Sequence, residues 1–477
     1  MLGIEDRVMM DLLSRAVGPE RAPIAFEAFS QTPSVSIRYN PYKLLSDQKG
    51  LRGSTDPNDR ASVASLDGET TATLGTLRGG TVSEANGGAE RSEAVEPPEL
   101  ATIASLERSE AVEHLRPIQF EGIPWNKYGM MLAERPRFVL DPLFHAGCYY
   151  VQDSSAMVVG HLLREHLDRF EGLGRPIRVL DLCAAPGGKT TDIATSLRDR
   201  FGDGFQLVAN EVMRNRAAIL SDNVAIWGDP QVIVTSCDPK AFAALEGYFD
   251  IIVTDVPCSG EGMFRKDPKA VDDWSPEAVD LCAARQRRIL ADAWPSLRKG
   301  GLLIYSTCTF EEAENDSNVE WAATELGAEV VDFEYSNLPG VIPTRTGGLL
   351  VPGFVKGEGQ FVAALEKTAA AGKTKLGPES LRPIRNGLDK GTVKGRDFIP
   401  SADWALSIEP PVDKYPTVEL DLDMALKYLH RDGIFIEGQP EGYLIVCFEG
   451  HPLGFVKNIG KRWNNLHPQN RRIRMDL

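Results

Sequence analysis

From residue 156 to 366 short aliphatic runs alternate with helix-length stretches, and no other feature limits the fold as tightly. Strands joined by connections that long pair in parallel, with helices covering both faces of the sheet. Five runs read as such strands: Ile177-Arg178-Val179-Leu180-Asp181-Leu182, Gln206-Leu207-Val208-Ala209-Asn210, Val232-Ile233-Val234-Thr235, Phe249-Asp250-Ile251-Ile252-Val253-Thr254 and Gly301-Leu302-Leu303-Ile304. An open parallel sheet gathers its ligands at the carboxyl ends of its strands. The residues that follow the runs are therefore the candidate site, and they are chemically dense: Cys183 to Lys189, Glu211, Asp238, Asp255 with Cys258, and Cys308.

A chain of 477 residues is too long for one ordinary domain. Residues 1–155 read as a small N-terminal α+β domain, helical at Met9-Met10-Asp11-Leu12-Leu13 and strand-like from Ser34 to Tyr39. Within it, about 46–114 is expected to be a flexible insertion. No aromatic occurs between Tyr42 and Phe120, and such a stretch cannot bury enough apolar surface to fold alone. Its segment Glu90 to Glu96 recurs unchanged as Glu107 to Glu113, but two polar copies do not make a solenoid. Residues 156–367 carry the α/β sheet. Residues 368–397, rich in Lys, Gly and Pro, read as a linker, and 398–477 as a small β-rich domain with a strand from Tyr443 to Phe448.

The 42% hydrophobic content suits a soluble protein, and the first residues lack the basic start and apolar core of a secretory signal. No apolar run approaches a membrane span. The 7 cysteines are odd in number and irregularly spaced, with no CxxC pair and no Cys/His cluster of zinc spacing. A monomer in the reducing cytosol, without a metal and without a membrane partner, is expected. The net charge of −16 speaks mildly against nucleic acid, yet local patches decide phosphate contact.

The first strand runs into Cys183-Ala184-Ala185-Pro186-Gly187-Gly188-Lys189, and a helix follows from Thr190. Small residues let backbone approach a ligand, and the helix start offers unpaired N–H groups. Glu211, about twenty residues past the Gly pair, suits a ribose diol, and Asp238 after the third strand suits an adenine amino group. The G-x-G-x-x-G of a dinucleotide site is absent. S-adenosylmethionine, which has no pyrophosphate, fits better.

Cys183 to Lys189, Asp255 to Cys258 and Ser306 to Cys308 together resemble the Sun/NSUN RNA cytosine-C5 methyltransferases, and more narrowly their bacterial RsmF-type members. The likeness takes in Arg38-Tyr39-Asn40, Tyr150 to Ser155, Gly357 to Phe361 and the region of Gly454 to Lys457; residues 46–114 depart from it. It implies a Rossmann-like class I methyltransferase domain with a PUA-like C-terminal domain. It also implies S-adenosylmethionine held by Cys183 to Lys189, Glu211, Arg216, Asp238 and Asp255.

The chemistry that follows is covalent. A thiolate adding to carbon 6 of cytosine breaks aromaticity and places enamine-like density on carbon 5, which can then take a methyl group. Lys189 and Lys266 are candidate cations to ionise the thiol. Asp255 would offset charge developing at ring nitrogen 3 by sharing a proton. In DNA cytosine methyltransferases the Pro-Cys thiol attacks, which would point to Cys258. In the RNA family the chain resembles, the Thr-Cys thiol attacks, which makes Cys308 the nucleophile and assigns Cys258 to product release. Cys148, Cys282, Cys447 and Cys237 read as packing, and the thiol of Cys183 as incidental.

Lys457, Lys461, Arg462, Arg471, Arg472 and Arg474 crowd the C-terminus with no acid between Gly450 and Met475, and Trp463 and His467 interleave with them. Such cations meet phosphates while planar rings stack on unpaired bases. Arg265 and Lys266 are placed at the catalytic mouth. The expectation is methylation of ribosomal RNA, 16S rRNA of the small subunit by the resemblance alone. The rivals are a tRNA cytosine-C5 methyltransferase and a non-catalytic ribosome-assembly RNA-binding factor. An exocyclic amino methyltransferase would want Pro-Pro and an aromatic where Val256-Pro257-Cys258 stands.

Overall fold

The computed structural model describes residues 6–44 and 120–475, so the expected insertion at 46–114 lies outside the described residues. With strands numbered along the chain, β1 (Val35–Tyr39), β2 (Phe120–Ile123), β3 (Asn126–Leu132) and β4 (Tyr149–Val151) form an antiparallel sheet. Its order is β2-β3-β1-β4. β1 lies inside it, with Ile37 opposite Met130 on one side and Val151 on the other.

The five strand-like runs become β5 (Ile177–Asp181), β6 (Phe205–Asn210), β7 (Val232–Thr235), β8 (Phe249–Asp255) and β9 (Leu297–Thr307), all parallel. Both faces are covered, so the inner strands must be apolar throughout. Val179, Leu180, Leu207, Val208, Ile251, Ile252, Leu303 and Ile304 are accordingly at most 1% exposed. The spatial order is β7-β6-β5-β8-β9. The chain winds outward from β5 to β7 and then returns to the other side of β5, which opens a crevice at the carboxyl ends of β5 and β8. Beyond β9 the sheet continues antiparallel through β13 (Gln360–Lys367), with β10 (Ala328–Val330), β12 (Gly348–Leu350) and β11 (Ile342–Pro343) at that edge.

Residues 368–397 are not a free connection. β14 (Arg385–Asn386) pairs with β7, and Ile384 N donates to Val234 O at 2.8 Å. β7 is otherwise an open edge with unpaired backbone groups, and the passing chain covers it. A hairpin, β15 (Gly391–Lys394) and β16 (Asp397–Pro400), follows.

The last sheet comprises β17 (Thr417–Glu419), β18 (Gly442–Phe448), β19 (His451–Asn458) and β20 (Trp463–Asn465), with the helix Leu422–His430 against it. That helix starts where the Asp421 side chain accepts from Met424 N. This sheet shares one core with the N-terminal sheet: Leu444, Val446 and Val456 pack in a cluster with Ile37, Leu132 and Tyr149. Among the described residues no helix is long and apolar enough to cross a membrane.

Candidate active site

β8 and β9 are neighbours in register, Asp255 opposite Ser306, so the turns that leave them lie side by side. The Sγ atoms of Cys258 and Cys308 stand 3.2 Å apart, and Cys308 N–H donates to Cys258 Sγ at 3.3 Å. The hydrogen bond with Cys308, followed by burial, pushes the Cys258 thiol well above its ordinary range. The Cys308 turn is pinned by backbone: Gly262 N donates to Cys308 O and Gly359 N to Gly262 O, both at 2.9 Å. A Cβ on Gly262 would lie 2.7 Å from Cys308 O and from Gly359 Cα, so only glycine permits this approach.

Asp255 is bound on every side. Its Oδ2 takes the Lys189 ammonium at 2.8 Å, and its Oδ1 accepts from Ser306 Oγ at 2.8 Å and Gln360 Nε2 at 3.2 Å. Burial alone would depress the Lys189 ammonium, but Asp255 and the nearby Cys308 outweigh it and hold the amine above its usual range. The structure thus brings Lys189, Asp255, Cys258 and Cys308 to one spot. Lys266 is exposed on the turn that follows.

The loop Cys183 to Lys189 is fixed by its neighbours. Ala184 N donates to Asn210 O at 2.8 Å, Arg216 Nη2 to Ala185 O at 2.8 Å, and Asn223 Nδ2 to Pro186 O at 2.8 Å. The Ala185-Pro186 bond is cis, and Gly187 at φ 115° turns the chain into the helix Gly188–Phe201. Behind that helix start, Arg38 from β1 is fully buried; its Nη2 donates to Gly188 O at 3.1 Å and to Thr191 Oγ1 at 2.5 Å, and its Nε to Gln152 Oε1 at 3.0 Å. Burial pushes the Cys183 thiol up to about 12, which leaves it inert.

Three carboxylates lie at or just past the carboxyl ends of successive strands. Glu211 takes Arg216 at 3.0 Å and Met213 N at 2.9 Å. Asp238 is half-exposed and accepts from Lys240 N at 3.0 Å. Asp181, the residue that sequence reasoning passed over, is 1% exposed; its Oδ2 accepts from Thr190 Oγ1 at 2.6 Å and its Oδ1 has no partner. Burial pushes this carboxyl up to about 7. An acceptor left unpaired beside Glu211 and Asp255 suits a cationic ligand with amino and hydroxyl donors, and offers nothing to a pyrophosphate. The signal was available: Asp181 closes the first strand as Asp255 closes the fourth.

Several expected RNA contacts require correction. Arg265 does not line the mouth as a free cation: its side chain is 5% exposed and pairs with Glu358 at 3.0 Å. Arg471 is spent on Asp222 at 2.9 Å and Asp403 at 2.7 Å, where it fastens the C-terminus to the helix Arg214–Trp227. Trp463 and His467 are 5% and 3% exposed, inside the last sheet's core and unavailable for stacking. Lys461, Arg462, Arg472 and Arg474 are exposed, and Lys457 is half-exposed over the Tyr443 ring at 5.0 Å. Cys148, Cys282 and Cys447 are buried.

Two family models match the chain: 16S rRNA methyltransferase RsmB/F over residues 175–366 and the methyltransferase RsmF PUA domain over 415–473. Curated relatives carry the name ribosomal RNA small subunit methyltransferase F. That of Serratia proteamaculans is 30% identical over 74% of this chain and 84% of its own length. That of an Enterobacter species is 35% identical over the same shares. The match to the Pectobacterium atrosepticum protein, 38% identical, spans 53% of this chain and about half of that relative, 52%. Among solved structures, a methyltransferase homologue from Pyrococcus horikoshii superimposes with a TM-score of 0.52 at 22% identity, over 77% of this chain and 96% of that one. NSun6 from Pyrococcus horikoshii, solved with SFG, gives 0.51 at 17% identity over 76% and 98%. These two establish likeness of fold.

Proposed function

The chain belongs to the RsmB/F family of 16S rRNA methyltransferases, and from that premise we propose that it methylates carbon 5 of a cytosine in small-subunit ribosomal RNA through a covalent cysteine–cytosine adduct. The observation that carries this reading is the pair of thiols 3.2 Å apart beside the Lys189–Asp255 ion pair. S-adenosylmethionine, when bound, supplies an electrophilic methyl group. Cys183 to Lys189 would hold it with Glu211 at the ribose, Asp238 at the adenine and the unpaired Asp181 oxygen toward its ammonium.

Cys308 attacks carbon 6 of an extruded cytosine, and charge develops at ring nitrogen 3. Asp255 meets that nitrogen, and the thiol proton that Cys308 gives up is passed to the ring through the Lys189–Asp255 pair. Once Cys308 is a thioether it no longer perturbs Cys258 as a thiol partner. Cys258, 3.2 Å from that sulfur, is placed to take the carbon 5 proton once its own has gone to solvent. The Cys308–carbon 6 bond then breaks, the ring nitrogen returns its proton through the Lys189–Asp255 pair to the Cys308 thiolate, and the product leaves. The exposed Lys461, Arg462 and Arg472 supply phosphate contacts, and the protein works as a monomer in the cytoplasm.

The test is incubation with labelled S-adenosylmethionine and 30S subunits, naked 16S rRNA or tRNA, with 5-methylcytosine mapped in the products. Label at a cytosine of 16S rRNA supports the reading, and label in tRNA alone overturns the substrate. No transfer to any RNA, with cofactor demonstrably bound, favours an RNA-binding assembly factor.

A further inference from the structure

The turn Pro257-Cys258-Ser259 is held from behind by a buried polar cluster. Gln286 Nε2 donates to Pro257 O at 3.0 Å and to Glu314 Oε2 at 2.6 Å, and Ser259 N donates to the same Glu314 oxygen at 3.2 Å. The Ser259 hydroxyl lies 2.9 Å from both oxygens of Glu261, is hydrogen-bonded to Glu314 Oε1, and stands 3.0 Å from Thr309 Oγ1 on the Cys308 turn. Trp274 Nε1 donates to Glu261 at 2.5 Å, and Tyr305 OH to the Glu314 carbonyl at 2.6 Å. Glu261, Gln286 and Glu314 are 0% exposed.

Hydrogens can be counted here. The Ser259 hydroxyl has one, and two carboxyl groups reach for it. The Thr309 hydroxyl beside it brings a second, which Glu261 can accept. Two bare carboxylates buried together without a cation would be costly. Burial pushes Glu314 up to about 7, whereas Glu261, also raised by burial, receives the Trp274 donor as well. Glu314 accepts from Ser259 N, from Gln286 and from the Ser259 hydroxyl, and so ties the turn to the helix that carries Gln286.

We propose that Glu314 is a positioning residue for product release: it clamps the turn that carries Cys258 and sets where that sulfur stands beside Cys308. The proposal rests on the assignment of Cys258 to release. It concerns a side chain that touches neither RNA nor cofactor and acts through Ser259. A loosened Cys258 leaves the attack by Cys308 possible and slows the step after it, and a displacement of about 1 Å suffices for a large loss.

The test uses the full chain with 16S rRNA and S-adenosylmethionine. It follows the covalent protein–RNA complex on denaturing gels alongside released 5-methylcytosine. Glu314→Ala should form adduct at the wild-type rate and release it about 10- to 100-fold more slowly, so that adduct accumulates as in Cys258→Ala. Glu314→Gln, whose amide keeps a donor and an acceptor in place, should release within a few-fold of wild type. Wild-type release by Glu314→Ala, or equal loss of adduct formation and release, overturns the clamp while Cys258→Ala still accumulates adduct. Should Glu314→Ala not fold, Ser259→Ala decides: accumulated adduct supports the clamp and wild-type release overturns it. A Cys258→Ala protein that turns over without accumulating adduct overturns the release assignment itself, and the clamp with it.

Discussion

Asp250 and Asp181 are buried carboxylates on adjacent strands of one sheet, at opposite edges and in opposite condition. Asp250, near the amino end of β8, is 0% exposed and saturated: Arg175 reaches it at 2.7 and 2.8 Å, Arg298 at 2.6 Å and Arg178 N at 2.9 Å. Asp181, at the carboxyl end of β5, has one hydroxyl and an empty oxygen. Stability is built in at the amino edge, and chemical appetite is left at the carboxyl edge, where local rules are broken for function.

The largest effect that would sharpen this contrast is at the carboxyl edge. Cys308→Ala should abolish both turnover and adduct with no loss of fold, read by labelled methyl transfer and denaturing gels, whereas Cys258→Ala should accumulate adduct. Equal adduct loss in both would reverse the two roles or remove them. At the amino edge, Asp250→Ala strands two guanidiniums against the sheet and should cost about 3 kcal/mol in urea unfolding. The discount from the fully buried case reflects arginines that are 32% and 29% exposed.

Asp181→Asn should do the opposite. A carboxyl whose folded value is raised from 3.8 to about 7 contributes stability that is present below 3.8 and lost as pH rises through 7. The asparagine escapes that loss, so it should unfold later than wild type at pH 8 and show no such gain at pH 4. An oxygen that must ionise to accept an ammonium also makes cofactor affinity rise with pH between about 6 and 8. Calorimetry should show that rise in wild type and lose it in Asp181→Asn; a pH-independent affinity in wild type would break the comparison. The smallest effect belongs to the surface. Lys461→Ala, Arg462→Ala and Arg472→Ala should each lower the salt slope of RNA binding by about 1 and leave stability unchanged.

The central sheet was legible because parallel strands covered on both faces cannot hide polar residues, so Val179-Leu180 and Ile251-Ile252 announce themselves. The residues proposed to react come together because they follow directly on those strands. Partners distant in sequence were not legible. Nothing in Arg471-Arg472 separates the cation that locks onto Asp222 and Asp403 from its exposed neighbour, and Arg265 finds Glu358 only through the fold. The acidic stretch Glu311-Glu312-Ala313-Glu314 likewise holds an exposed Glu312 and a fully buried Glu314 two residues apart, a difference set by what packs above each turn. Residues 368–397 have a linker's composition and still complete a sheet edge, since backbone pairing asks little of side chains.

Arg38 carries a consequence for motion. A guanidinium keeps its charge at any working pH, so the contacts that tie β1 to Gly188 and Thr191 have no titratable release. Parting the N-terminal sheet from the helix Gly188–Phe201 would leave a cation in a dry seam, stacked 4.6 Å from the Trp227 ring, with its acceptors gone. Sheet and helix start are therefore held together as one body by a charge that no change of pH removes. The loop Cys183 to Lys189, which leads into that helix, is thereby fastened to the N-terminal sheet as well.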